Sequence, residues 1–325
     1  MSRILITGSS GFLGRRLGLD LRVEGHETVG LDRVVSDEVE TLILHDLRRP
    51  IRMNVGPVDA CVHLASGSGG FLTNANDESL LLDERAMLEN LRKLLPGEPL
   101  MVFMSSISVF EADGVQEEGP LAGVSPRTPY ARSKAACERI VAERWKNFSI
   151  VRPTNFFGPN QPRHGSAVGS SHVIPELTEK IRRDPIVEVL GDGTQVRNFI
   201  HVSDLSRLVR ALVEGGEPPR YVHLRSGIFR TIGALVRDLM RVEGVEKPVR
   251  YLAEYMEAEP VRVTAFATPA TDRIGFAPRV TSIYDGLRRD RNESQPAPAS
   301  ANAIQNPGSV GVADRAESTA QPLSS

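Results

Sequence analysis

A doubly wound α/β fold, a parallel sheet covered by helices on both faces, is what this sequence predicts, and three observations predict it. The chain opens on a short apolar run, Arg3 to Thr7, that leads straight into the turn Gly8-Ser9-Ser10-Gly11-Phe12-Leu13-Gly14. Leu13, Leu17 and Leu21 then recur at helical spacing. Further short apolar runs alternate with helical stretches along most of the chain, the pattern that builds parallel sheets.

The bulk properties set the bounds. The chain has 325 residues, 40% of them hydrophobic, enough for one large or two modest domains. Its net charge is −2 with acids and bases interspersed, so neither a nucleic-acid nor a membrane surface is expected. No basic, hydrophobic signal segment opens it and no apolar run approaches membrane-spanning length. Cys61 and Cys137 are too few for a disulfide framework and lack metal-ligand spacing. Buried thiols in a reducing cytoplasm are the expectation, with no metal.

Strand, glycine turn and helix together are the context a dinucleotide fingerprint requires, so the fold expected is Rossmann-type. Gly8 allows the tight turn, Gly11 lets a pyrophosphate approach the helix N-terminus, and Gly14 permits close helix–sheet packing. Thr28 to Leu31 follows as a second strand ending at Asp32, about where a ribose-binding acid belongs. A carboxylate there accepts from the adenosine 2′-hydroxyl and repels a 2′-phosphate, which favours NAD over NADP. Arg33, directly behind it, is long enough to reach a phosphate.

Thr41 to Leu44 reads as a third strand running into His45-Asp46-Leu47, where Asp46 suits the adenine edge and a strand-end turn equally well. Ala60 to Ala65 is a buried strand, and His63 within it reads as a satisfied core histidine. A helix follows from about Asp77 to Leu95. Leu100 to Met104 is the next strand, ending in Ser105-Ser106-Ile107-Ser108. Ligands in such sheets bind beyond the carboxyl ends of the strands, which places these hydroxyls near a substrate oxygen.

Thr128-Pro129-Tyr130-Ala131-Arg132-Ser133-Lys134 is the stretch expected to carry the chemistry. Pro129 suits a helix start, so Tyr130 and Lys134 share a face one turn apart. A bare pair of this spacing is commonly a surface feature. Beside a substrate, the lysine cation would lower the phenol's pKa and make it an acid/base near neutrality.

Beyond it come a strand at Ser149 to Arg152, the segment Pro153-Thr154-Asn155-Phe156-Phe157-Gly158-Pro159-Asn160, and a polar, Gly-rich stretch from Gln161 to Ser171 read as a mobile loop. A helix from Ile174 to Arg183, a strand around Ile186 to Leu190 and the turn Gly191-Asp192-Gly193 follow. Asp204 is expected to cap a helix over Leu205 to Glu214. Tyr221 to Leu224 reads as a strand, and Thr231 opens a helix reaching about Val242. From Asn292 onward the chain is too polar to order itself.

In this order the motifs resemble the extended short-chain dehydrogenase/reductases, in their nucleotide-sugar epimerase/dehydratase branch. The resemblance covers about residues 3 to 290. It is carried by the three glycines, Asp32, His63-Leu64-Ala65, Ser105-Ser106, Tyr130 with Lys134, Arg152-Pro153-x-Asn155, Gly158-Pro159, Gly191-Asp192-Gly193 and Arg197-x-Phe199-x-His201-Val202-x-Asp204. It implies NAD contacts at Gly8, Gly11, Phe12, Leu13, Gly14, Asp32, Asp46, Leu47, Leu64, Ala65, Tyr130, Lys134 and Pro153. It also implies a catalytic set of Ser106, Tyr130 and Lys134, with Asn155 on the substrate side and Arg197 and Arg262 clamping a nucleotide diphosphate. A homodimer formed through the helices near Leu82 and Tyr130 is common among such relatives.

Departures from the family pattern narrow the reaction. Dehydratases and uronate decarboxylases of the family carry an acid just after the catalytic hydroxyl residue, where this chain has Ile107 and Ser108. Gly69-Gly70-Phe71 and Ser171-His172-Val173-Ile174-Pro175 look like GDP-fucose synthase and GDP-mannose 3,5-epimerase. That makes His172 a candidate acid and Ser108 a substrate contact, yet Ser108 stands where those patterns have a cysteine base. The family's helix asparagine has no match near Leu82.

The expectation is therefore a Rossmann-type lobe at 1–165 with return segments about 195–225, a smaller α/β substrate lobe at 166–194 and 226–290, and a tail at 291–325. The activity expected is NAD-dependent epimerisation of a nucleotide-diphosphate sugar through a transient ketone, at C4. An NAD(P)H-dependent 4-keto-sugar reductase uses the same residues, and a non-catalytic NAD-binding protein would keep only the scaffold.

Overall fold

The computed structural model describes residues 1–67, 76–110, 115–158, 161, 171–253 and 265–293. Its strands are β1 (Arg3–Thr7), β2 (Glu27–Asp32), β3 (Leu42–Leu44), β4 (Ala60–His63), β5 (Leu100–Met104), β6 (Val115–Gln116), β7 (Phe148–Pro153), β8 (Asn155–Phe157), β9 (Val187–Leu190), β10 (Val196–His201), β11 (Tyr221–Leu224), β12 (Ile228–Thr231), β13 (Val249–Leu252) and β14 (Ala265–Phe266). The helices are α1 (Phe12–Val23), α2 (Leu80–Leu94), α3 (Pro129–Arg144), α4 (Val173–Arg183), α5 (Val202–Glu214), α6 (Ile232–Glu243), α7 (Pro269–Arg273) and α8 (Ile283–Glu293).

Seven strands form one sheet in the order β11-β7-β5-β4-β1-β2-β3, and every neighbouring pair is parallel. This is the predicted doubly wound Rossmann-type sheet. Because side chains alternate along a strand, β1 sends Ile4 and Ile6 to one core and Leu5 to the other. The first core joins them to Leu13, Leu17 and Leu21 of α1 and Leu205, Leu208 and Leu212 of α5. The second joins Leu5 to Leu88 and Leu91 of α2 and Cys137 and Val141 of α3. Both cysteines are free and buried. A third core gathers Phe157, Ile181, Val187, Phe199, Leu235 and Leu239 around β8, β10 and β12, outside the large sheet.

Two expectations are corrected here. Asp204 does not cap its helix: α5 begins three residues earlier than expected, at Val202, and His201 caps it by accepting from Ser203 N. Asp204 instead accepts the backbone N–H groups of Arg279 and Val280 at 2.9 and 3.0 Å and a bond from Arg207, tying the C-terminal segment down. The chain also stays helical to Glu293, three residues into the stretch read as a tail.

Candidate active site

The glycine turn is held where a dinucleotide needs it. Gly8 has φ +69°, and a Cβ on it would come 2.7 Å from the Ala65 nitrogen. Gly14 is tighter, since a Cβ there would lie 2.2 Å from the Gly8 carbonyl oxygen. Only glycine lets the turn, β4 and α1 close up in this way. Gly11 occupies the N-cap of α1 and offers no side-chain cap, which leaves the positive end of the helix open to a phosphate. Phe12 and Leu13 begin the helix behind it.

Asp32 ends β2 beside this turn and accepts from Ser10 N at 2.9 Å and Val34 N at 3.1 Å. Its carboxylate is thus aimed across the glycine loop, with lone pairs remaining for a ribose hydroxyl. Leu64 and Ala65 follow β4, their amides bonded to the Thr7 carbonyl and hydroxyl. Leu47 is buried, and its carbonyl accepts from Asn90 at 2.8 Å. Asp46 is paired with Arg48 at 2.6 Å, and that bond brings its carboxyl down to about 2. Of its two expected uses, the turn acid is the one the geometry displays.

Past the carboxyl end of β5, Ser106 caps a single 3-10 turn over Ile107–Val109. Its Oγ accepts from Ser108 N at 3.2 Å and Ser108 Oγ at 2.9 Å. Thr128 caps α3 through Ala131 N, and Pro129 occupies the first turn, so the helix starts where the sequence places it. Tyr130, in the first turn of α3, lies close enough to Ser106 for that hydroxyl to lower the phenol. Lys134 Nζ lies 5.9 Å from the Tyr130 ring centre and 5.3 Å from that of Phe103. The structure thus assembles Ser106, Ser108, Tyr130 and Lys134 in one place.

The electrostatics differ from expectation. Burial pushes the Tyr130 phenol up, the Lys134 ammonium and the nearby Ser106 hydroxyl pull it down, and Glu84 pushes it up again, leaving it above its ordinary value. Glu84 is also why Lys134 keeps its charge. Burial alone would lower the lysine, but the carboxylate 3.1 Å away outweighs it and holds the ammonium above its usual range. Lys134 lowers the phenol as expected, but burial, the largest influence, outweighs it, and Glu84 adds a smaller push in the same upward direction.

Glu84 is the residue sequence reading missed, and a signal for it existed. Leu80, Glu84, Met87, Leu88 and Leu91 form the buried stripe of α2, so a carboxylate interrupts an apolar face. Glu138 was missed in the same way: it accepts from Ser105 Oγ at 2.5 Å and pairs with fully buried Arg152 at 2.6 Å. His63 is buried, bonded to Thr7 Oγ1 through Nδ1 at 2.6 Å and lowered to about 3 by burial and by Lys134, so it is a neutral core histidine, though only half satisfied because its Nε2 is buried without a hydrogen-bond partner.

The residues expected on the substrate side lie outside the large sheet. Asn155 opens β8 opposite Phe199 of β10 and donates to the Asn198 carbonyl at 3.2 Å. Arg197 lies on β10 and is partly exposed, and His172 occupies the N-cap of α4. Pro153 ends β7 at the same sheet edge as Met104. Arg262, Gly69-Gly70-Phe71 and Pro159-Asn160 lie outside the described residues. Among the described residues no cluster of metal-ligating side chains occurs, and no helix is long and apolar enough to cross a membrane.

Residues 4–223 match the family model described as the NAD dependent epimerase/dehydratase family. The chain belongs to that family. It is accordingly an enzyme of the extended short-chain dehydrogenase/reductase type, with NAD as its cofactor. Among its relatives is a dTDP-4-dehydro-6-deoxy-D-allose reductase from a Streptomyces species, 28% identical over 87% of this chain and 90% of that protein. A GDP-L-fucose synthase from Sinorhizobium fredii is 24% identical over 88% of this chain and 93% of the relative. The solved structure of MoeE5 with UDP-glucuronic acid and NAD superimposes with a TM-score of 0.73 at 25% identity, covering 90% of this chain and all of that one. The stretch matched to the epimerase/dehydratase family contains the glycine cradle, Asp32 and the uncapped helix.

Proposed function

We propose that this enzyme epimerises a nucleotide-diphosphate sugar by transient oxidation of one carbinol, at C4, to a ketone. The observation that carries the proposal is the Ser106–Ser108 hydroxyl pair beside Tyr130, with Lys134 5.9 Å from the Tyr130 ring and no carboxylate at the two positions after Ser106. Elimination would need a base beside the hydroxyl pair. The buried carboxylates nearest in structure, Glu84 and Glu138, are each committed to a cation.

When bound, NAD supplies the acceptor and donor of hydride. Gly8, Gly11 and Gly14 receive its pyrophosphate, Asp32 its ribose, and Leu47, Leu64, Ala65 and Pro153 line the walls. Tyr130 takes the proton of the sugar hydroxyl and returns it at the end. Ser106 hydrogen-bonds the same oxygen while its charge changes, and Lys134 holds a positive charge under the phenol. Asn155, His172, Arg197 and Arg262 take the sugar and diphosphate, for which arginine's bidentate fork is suited. The lobe division at 165 and pairing of two chains through α2 and α3 belong to the same reading.

The reductase reading has one specific support, the Streptomyces reductase relatives. Cofactor demand separates the two. Purified protein is incubated with a panel of nucleotide sugars, with and without NADH or NADPH, and products are resolved by chromatography. Epimer formed without added reduced cofactor supports the epimerase, whereas reduced cofactor consumed one for one with product supports the reductase.

A further inference from the structure

We propose that Glu84 is a positioning residue for the acid/base pair: its carboxylate anchors the Lys134 ammonium and sets how much of that positive charge reaches Tyr130. This rests on the acid/base assignment of Tyr130 and Lys134 above.

The geometry is that of a built site. Glu84 is 1% exposed and Lys134 4% exposed, and they meet at 3.1 Å. The carboxylate's other oxygen accepts from Ser66 Oγ, so both oxygens are fixed. Ser133 Oγ donates to the Leu80 carbonyl at 3.2 Å, which locks α3 against α2 one turn before Glu84. Lysine has a long, flexible stem, and a two-point carboxylate anchor removes its freedom to swing.

A purely structural role accounts poorly for this arrangement. Two buried charges are costly to desolvate, and well-packed apolar side chains of similar volume would stabilise the helix contact at least as well. What an apolar pair would not do is hold an ammonium 5.9 Å from the Tyr130 ring. Without Glu84, burial would pull Lys134 down from the raised position it holds and weaken its grip on the proton that gives the phenol its cation.

The groups that share this space are few. From α3 come Tyr130, Lys134, Cys137 and Glu138, from α2 Glu84 itself, and from β4 His63. His63 is lowered to about 3 and Cys137 pushed up to about 12, so neither titrates near neutrality. Glu138 is engaged by Arg152. Glu84, Lys134 and Tyr130 are left as the coupled set, and removing the one negative member lowers the proton affinity of the other two.

Two measurements on the NAD-loaded enzyme test this. In the first, the pH profile of kcat/KM is compared for wild type, Glu84→Gln and Glu84→Asp. Both limbs move to lower pH by about one unit in Glu84→Gln and return towards wild type in Glu84→Asp. Limbs that stay in place while the height falls overturn the proposal. The second needs no substrate and removes the lysine from the problem. Tyr130 is one of five tyrosines, so its titration is read from ultraviolet tyrosinate absorbance as the difference from a Tyr130→Phe counterpart. In a Lys134→Met background, adding Glu84→Gln lowers the Tyr130 midpoint, and an unchanged midpoint overturns the proposal. This pair also serves if Glu84→Gln alone does not fold, because no uncompensated ammonium remains. A lowered midpoint in a protein that turns over no nucleotide sugar would end the functional reading while supporting the role of Glu84.

Discussion

Phe12, the first residue of the cofactor helix, stacks on Phe156 of β8 with ring centres 6.0 Å apart and planes 7° from parallel. Gly158 closes the same contact, since a Cβ on it would lie 3.3 Å from the Phe12 ring and 2.6 Å from Val202. The helix proposed to receive the pyrophosphate is thereby welded to the strand that begins with Asn155. Phe156→Ala removes an aromatic pair worth about 1 kcal/mol beyond its buried area. The expected result is a lower melting temperature and weaker NAD binding together, with Phe156→Leu intermediate, measured by thermal melts with and without NAD.

Gly14→Ala places a methyl group where the Gly8 carbonyl oxygen already is, 2.2 Å away. Backbone must move, and the turn that faces the pyrophosphate moves with it. NAD affinity falls at least tenfold, about 1.4 kcal/mol, in a fluorescence titration. Gly216→Ala, with nothing within 4 Å of the added carbon and no left-handed backbone to strain, leaves NAD affinity unchanged.

Arg152→Met leaves the Glu138 carboxylate buried without its cation. Breaking such a pair from one side costs about 3–5 kcal/mol, while replacing both partners by apolar groups of similar shape costs far less. Denaturant unfolding should therefore rank Arg152→Met below Arg152→Met/Glu138→Leu.

The buried histidines make the fold acid-sensitive. Burial and Arg152 lower His223 to about 4, and burial and Lys134 lower His63 to about 3, against about 6.5 in an unfolded chain. The unfolded state thus takes up protons first as pH falls. Stability is full above about 6.5 and is lost progressively towards pH 4, well before Asp46 at about 2 contributes. Each 1 kcal/mol lost lowers the melting temperature by roughly 2–4 °C. Melts between pH 7 and 4.5 measure the slope, and His223→Gln flattens it.

The parts of the site legible in the sequence were those written in local spacing. Gly8, Gly11 and Gly14 followed by helical leucines, Asp32 at a strand end, and Thr128-Pro129 ahead of Tyr130 and Lys134 each specify backbone geometry within a few residues. What was not legible depended on partners distant in sequence. Burial of Tyr130 under the packed helices sets the sign of its shift, and Glu84 meets Lys134 across fifty residues, so neither could be read from the four-residue spacing of Tyr130 and Lys134. Asp204 has the composition of a cap, yet its partners Arg279 and Val280 lie about 75 residues on. The cap falls to His201, a residue type that carries little cap signal.

The central claim, oxidation and return of hydride within one turnover at a carbon touched by Tyr130, is tested most directly with a nucleotide sugar deuterated at C4 and no added reduced cofactor. The inverted product should retain its deuterium, and Tyr130→Phe should make it at least a hundredfold more slowly. A product that has exchanged its deuterium with solvent, or no product until NADPH is supplied, would contradict the claim.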